Sequence, residues 1–185
     1  MAQTKSLAKQ ASAQQVAAAK VARPAASRSD GQAETAPRGS TAVLFDRLEI
    51  FRFDPQARIA LIRQGIPASV VGRLSSSMGM SKELLLGSLG LSRATISRKE
   101  KDDTTLSKDE SERVLGVASL IGKVQTMVEQ SGDPDRFDAA RWLADWLGQP
   151  LPALGGATPA SYMDTFEGQK LVGELLSMSQ SGAYA

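Results

Sequence analysis

Arg93, Arg98, Lys99 and Lys101 crowd one short stretch, interleaved with Ser92, Ala94, Thr95 and Ser97. Cationic side chains displace counterions from phosphate, and Arg, Ser and Thr reach base edges when a helix lies in a major groove. The chemistry on offer is polyanion recognition. A solvated helical hairpin would use the same residues, and the motif alone does not separate the two. The chain has no Cys and no His. That removes thiolate and imidazole metal sites, Cys/His and Ser/His/Asp nucleophiles and an imidazole base. Ser/Lys and carboxylate catalysis stay open, but no Gly-rich phosphate loop or paired-carboxylate signature accompanies them. No catalytic residues, metal, cofactor or small-molecule substrate are therefore expected.

Two short helices broken at one glycine must position these groups, and the run from Met80 to Lys101 has that outline, a helix-turn-helix. Ser81 and Ser92 are placed to cap the two helices, because a Ser oxygen accepts an orphan N–H of a first turn. Gly90 falls where the turn needs a left-handed residue. Leu85, Leu89, Leu91 and Ile96 are spaced to close a small core, leaving Ser92, Arg93, Ala94, Ser97 and Arg98 outward. Two residues depart from the usual motif. Leu86 is bulky where a small residue is more common, and Lys99 stands where an apolar one is.

The net charge of +2 hides a division along the chain. Residues 1–42 hold six basic against two acidic groups, and 43–101 hold ten against five. Beyond Lys101 the balance reverses to six basic against thirteen acidic groups, so only the front portion suits a polyanion. No apolar run approaches the roughly 20 residues that span a bilayer, and the N-terminus lacks a signal-peptide core. A cytoplasmic protein with no membrane partner is expected.

Residues 1–42 carry no aromatic and almost no large aliphatic side chain, which predicts a disordered basic tail. Val43, Leu44, Phe45, Leu48, Ile50, Phe51 and Phe53 then form a dense apolar cluster that suits a helix or a strand equally. Asp54-Pro55 opens a helix with Ile59, Leu61 and Ile62 as its buried side, and Pro67 starts another with Ile66, Val70, Val71 and Leu74 inward. After the helix-turn-helix, Ser107 and Glu110 form a capping box. The long helix they begin repeats Val114, Val117, Ala118, Ile121, Val124 and Val128 at helical spacing. Asp133-Pro134 predicts a helix running to Leu147 with Trp142 and Trp146 four apart, ended by Gly148. Thr158-Pro159 predicts a short helical turn, and Thr165 caps a last helix bearing Leu171, Val172, Leu175 and Leu176.

Several dispersed positions together resemble one family. They are Ile62 to Pro67, Leu106-Ser107 with Glu110-Ser111 and Arg113, Trp146-Leu147, Pro150, Leu154-Gly155-Gly156 and Pro159. Thr165, Gly168, Val172, Leu175 and Gly182 complete the set. In order and spacing they resemble the Xre/MbcA/ParS-type antitoxins over roughly residues 58–185. The resemblance implies an Xre-like DNA-binding region joined to a C-terminal toxin-binding domain. It also implies a RES-domain toxin partner that consumes NAD, neutralisation by covering the toxin's active site, and repression of the pair's own operon.

The expected fold is all-α. Residues 1–42 would be the tail, 43–104 the Xre-like helix-turn-helix domain, 105–132 a connecting helix and 133–185 the toxin-binding domain with a mobile end. Operator DNA would meet Ser92, Arg93, Ala94, Thr95, Ser97, Arg98 and Lys99. The toxin would meet Trp146, Leu154, Gly155, Gly156, Tyr162, Phe166, Gly182 and Tyr184. Gly155 and Gly156 would hold a backbone turn, while Trp146, Tyr162 and Phe166 could equally be the chain's own core. A homodimer is expected, since such readers commonly pair on two half-sites. The rival function is a stand-alone helix-turn-helix regulator whose acidic domain dimerises or senses a ligand. A self-cleaving Ser/Lys repressor would need a β-rich C-terminal domain, against which the helical pattern argues.

Overall fold

A computed structural model describes residues 54–131 and 137–180 of the chain. The expectations for residues 1–42 and 43–53, the Asp133-Pro134 start, Gly182 and Tyr184 lie outside the described residues. Among the described residues seven α-helices follow one another: α1 Pro55–Gln64, α2 Val70–Ser77, α3 Lys82–Ser88, α4 Arg93–Lys101, α5 Lys108–Ser131, α6 Ala139–Leu147 and α7 Phe166–Gln180. Two 3-10 turns, Pro152–Leu154 and Pro159–Tyr162, lie between α6 and α7. Among the described residues there is no strand, only an isolated antiparallel bridge between Pro67 and Thr105.

Local sequence chemistry sets most helix starts. Asp54 accepts the Ala57 N–H at 2.8 Å ahead of Pro55. Ser81 accepts from Leu84 N–H at 3.2 Å, and Ser92 from Thr95 N–H at 3.4 Å. The capping box closes in both directions: Glu110 N–H donates to Ser107 Oγ at 3.3 Å, and Ser107 N–H donates to Glu110 Oε2 at 2.6 Å. Thr165 accepts from Gly168 N–H at 3.1 Å at the start of α7. Each cap satisfies a donor that the first helical turn would otherwise leave open.

The long helix α5 is the central wall of the fold. It touches α1, α6 and α7, and Val114, Leu115, Val117, Ala118, Ile121 and Val124 along it are buried. One continuous apolar core runs from Ile66 through Leu85, Leu89 and Ile96 to Leu143, Met163, Val172 and Leu176. Its residues come from both sides of α5.

Polar groups fix the angles. Ser111 is fully buried and accepts the Ile66 N–H at 3.2 Å. Gln169, also buried, donates its amide to the carbonyls of Arg113 (3.1 Å) and Met163 (2.8 Å), tying α7 to α5. Glycine makes that approach feasible. A β-carbon at Gly116 would overlap Oε1 of Gln169 and lie 2.6 Å from its Cδ.

Two local expectations are corrected. The α1 residue Ile59 is 46% exposed, and Leu61 and Ile62 are only half-buried, so this helix is a flank rather than part of the core. Pro67 does not begin a helix. The backbone of 66–68 pairs instead with 104–106, through Leu106 N–H to Ile66 O at 2.8 Å and Ala68 N–H to Thr104 O at 3.1 Å, and α2 starts only at Val70. The described start of α6 is capped by Asp138, which accepts from Arg141 N–H at 3.1 Å.

Candidate functional site

The outward face of α4 comes first. Ile96 is fully buried and fixes the rotation of the helix, so Ala94, Ser97 and Arg98 are left exposed. Ser92 and Arg93 are exposed at its start, and Thr95 is half-buried. Arg93 reaches back to Glu83 on α3 at 3.2 Å. Both members of that pair are well exposed, so solvent screens the interaction and the guanidinium is lightly held.

Lys99 departs from expectation. It turns inward to an ion pair with Glu110, with the two side chains 20% and 16% exposed, so its charge is compensated inside the fold. The position that more often holds an apolar residue is thus filled by a pair that joins α4 to the cap of α5. Burial raises the Glu110 carboxyl. Hydrogen bonds from Lys99 and Ser107 and the nearby ammonium outweigh it, holding the group below the usual carboxylate range. The other departure, Leu86, is 2% exposed and simply part of the core.

The turn ahead of α4 is clamped from a distance. Gly90 has φ +60°, the left-handed value the turn requires. Arg113, on α5, donates to the carbonyls of Leu89 (2.9 Å) and Gly90 (3.2 Å). A β-carbon at Gly90 would meet Asp164 at 3.2 Å, so this elbow also abuts the loop before α7.

The second surface lies on α6 and the loops around it. Trp146 and Tyr162 are half-buried and packed against the core, whereas Phe166 is 60% exposed at the first position of α7. Leu154 is half-buried. Gly155 (φ +63°) and Gly156 (φ +89°) close the 151–157 loop, with Gly156 N–H donating to Leu151 O at 3.0 Å. Their Cβ positions face open space, so a backbone turn is what they supply. Trp142, four residues before Trp146, stands outside the expected toxin-facing set. It lies flat on Trp146, with centroids 6.2 Å apart and planes 13° apart, and remains 37% exposed.

Among the described residues no group of three His, Asp or Glu side chains could hold a metal ion, and no helix is long and apolar enough to cross a membrane. Residues 57–119 match the antitoxin Xre-like helix-turn-helix domain. Residues 135–182 match the antitoxin Xre/MbcA/ParS C-terminal toxin-binding domain. A relative from Sphingobium sp. (strain YBL2), described as "Prs ADP-ribosylating antitoxin", is 43% identical over 136 residues, covering 74% of this chain and 86% of its own. "Antitoxin Xre" of Photorhabdus laumondii subsp. laumondii is 24% identical over 123 residues, 66% of this chain and 78% of its own. With a helix-turn-helix unit packed on a toxin-binding unit, the chain belongs to the Xre/MbcA/ParS-type antitoxins.

Proposed function

We propose that this antitoxin neutralises a RES-domain, NAD-consuming toxin by covering its active site, and that it represses its own operon as a homodimer. The observation that carries the reading is the match of residues 135–182 to a toxin-binding domain, together with a relative whose name specifies ADP-ribosylation. Transfer of ADP-ribose takes NAD as donor, so the relative's name favours a transferase over a hydrolase as the toxin. The inhibition is stoichiometric rather than catalytic. Its setting is the cytoplasm, where operator and NAD are both found.

The proposed division of labour follows the chain. Residues 43–104 read DNA, 105–132 connect, and 133–185 hold the toxin through Trp146, Tyr162, Phe166 and the end bearing Gly182 and Tyr184. Ser92, Arg93, Ala94, Ser97 and Arg98 support the DNA-reading part, since they share an exposed face. The acidic excess beyond Lys101 supports the other part, because a pocket that binds a pyrophosphate is lined with cations.

The test is Arg93→Ala with Arg98→Ala, assayed on two arms. Operator binding should weaken and its salt slope should fall by about 2, as expected for two lost phosphate contacts. Protection in a coexpression growth assay should be retained. Unchanged DNA retention in a gel shift would refute the assignment of this face.

A further inference from the structure

Trp142 is fixed in an outward position. Its indole rests on Trp146 and is tilted against Phe137 at 6.1 Å and 47°, and both of those rings pack against the core. The platform is therefore rigid before any partner arrives, which lowers the entropy lost on contact. Two carboxylates flank it on the same side of α6, Asp138 four residues before and Asp145 three residues after. Asp138 is committed to the helix start and to Arg141 Nε at 3.3 Å. Asp145 is exposed and, among the described residues, pairs with no cation.

An indole that stays 37% exposed beside an uncompensated carboxylate is a receptor for a cation. A guanidinium suits it better than an ammonium, because a planar group can stack on the ring while its N–H fork meets the carboxylate. We infer that this ridge receives an arginine side chain of the toxin, stacked on Trp142 and paired with Asp145. The ridge lies inside the stretch matched to the toxin-binding domain, so its occupant continues that interface. The inference rests on the toxin-neutralising reading and adds to it a contact centred on α6, away from the end of the chain.

The test measures binding of the full chain to the purified protein encoded by the adjacent gene, by calorimetry at two salt concentrations. Asp145→Lys changes an exposed helical position and should leave the fold intact, while weakening binding by about tenfold or more at low salt. Asp145→Asn should cost less and flatten the salt dependence. Trp142→Ala should weaken binding about tenfold while keeping the salt dependence, with Trp142→Phe between it and the parent. Binding by Asp145→Lys and Trp142→Ala equal to the parent's overturns the inference. So does a Trp142→Ala chain that changes its own oligomeric state in light scattering with toxin affinity intact, since the ridge would then face a second copy. If the parent chain itself binds nothing, the toxin-neutralising reading falls, and the occupant of the ridge falls with it.

Discussion

Gly116→Ala tests whether the two halves of the molecule are held together by one buried amide. Gly116 lies inside α5, where alanine alone should stabilise the helix by about 1 kcal/mol. The added methyl, however, would overlap the Gln169 amide. Displacing that amide breaks its bonds to Arg113 O and Met163 O. At about 1 kcal/mol for each bond, and about 1 to 3 for a buried polar group left unmade, the loss is about 3 kcal/mol. The net expectation is a destabilisation of about 2 kcal/mol after the helical gain. Gln169→Ala alone should cost about 2 to 3 kcal/mol for the same two bonds. In the double variant the methyl enters the vacated space and the helical gain returns, so the combined cost should be smaller than that of Gln169→Ala alone. A urea-denaturation cycle reads the coupling directly, and its expected size is about 3 kcal/mol. Costs that add within about 0.5 kcal/mol would show that Gln169 does not occupy the notch at Gly116.

Gly168→Ala should be worse than Gly116→Ala, because its β-carbon would overlap the Tyr162 carbonyl and lie 2.8 Å from the carbonyl carbon, and backbone cannot swing aside. A loss of more than about 3 kcal/mol in thermal or urea unfolding is expected, whereas Gly173→Ala, with Leu120 Cδ2 at 3.4 Å, should stay within about 1 kcal/mol of the parent. Glu110→Gln bears on pH. The folded carboxyl titrates below its unfolded value, so its contribution is present above the ordinary carboxylate range and is lost as pH falls through the depressed pKa. The parent's urea midpoint should therefore drop more steeply on acidification than that of Glu110→Gln, and parallel curves would remove the Lys99 pair as the cause.

What the sequence made legible was local. Ser81, Ser92, the Ser107 and Glu110 box, and Thr165 read correctly because a cap depends on residues within one turn of itself. Val114, Val117, Ala118, Ile121 and Val124 of α5 read correctly because the stripe repeats at helical spacing, while Val128 at its far end is only half-buried. The pairing of Lys99 was not legible, for the opposite reason. Its orientation is set by a carboxylate beyond the turn, on another helix, and nothing in the charge pattern of α4 announces that pair. Pro67 carries an ordinary helix-start signal, but backbone pairing with Thr105 overrode it. Ile59 follows the apolar spacing of its helix, yet which flank of α1 meets α5 is decided by tertiary contacts such as Arg58 Nη1 to Ser119 Oγ at 3.3 Å. The same limit hid Trp142. Its spacing from Trp146 was visible, while its exposure depended on which face of α6 met the core.

The matched stretches, 57–119 and 135–182, are each near the size at which a lone core is marginal, since a domain of about 60 residues buries only about 60% of its surface. Here they share α5 as a common wall and lie close elsewhere too: a β-carbon at Gly79 would come within 3.6 Å of Arg141, and one at Gly90 within 3.2 Å of Asp164. Neither stretch can then lose its structure without exposing apolar surface of the other, so equilibrium unfolding should be one cooperative transition. The chain provides its own reporters. Its two tryptophans, Trp142 and Trp146, both lie on α6, so indole emission follows the toxin-binding unit alone, while far-UV circular dichroism follows the helices of both units. The two urea curves should superimpose. Midpoints separated by about 0.5 M, which at a slope of about 2 kcal/mol/M is about 1 kcal/mol, would mean that α5 belongs energetically to one unit and that the other only rests upon it.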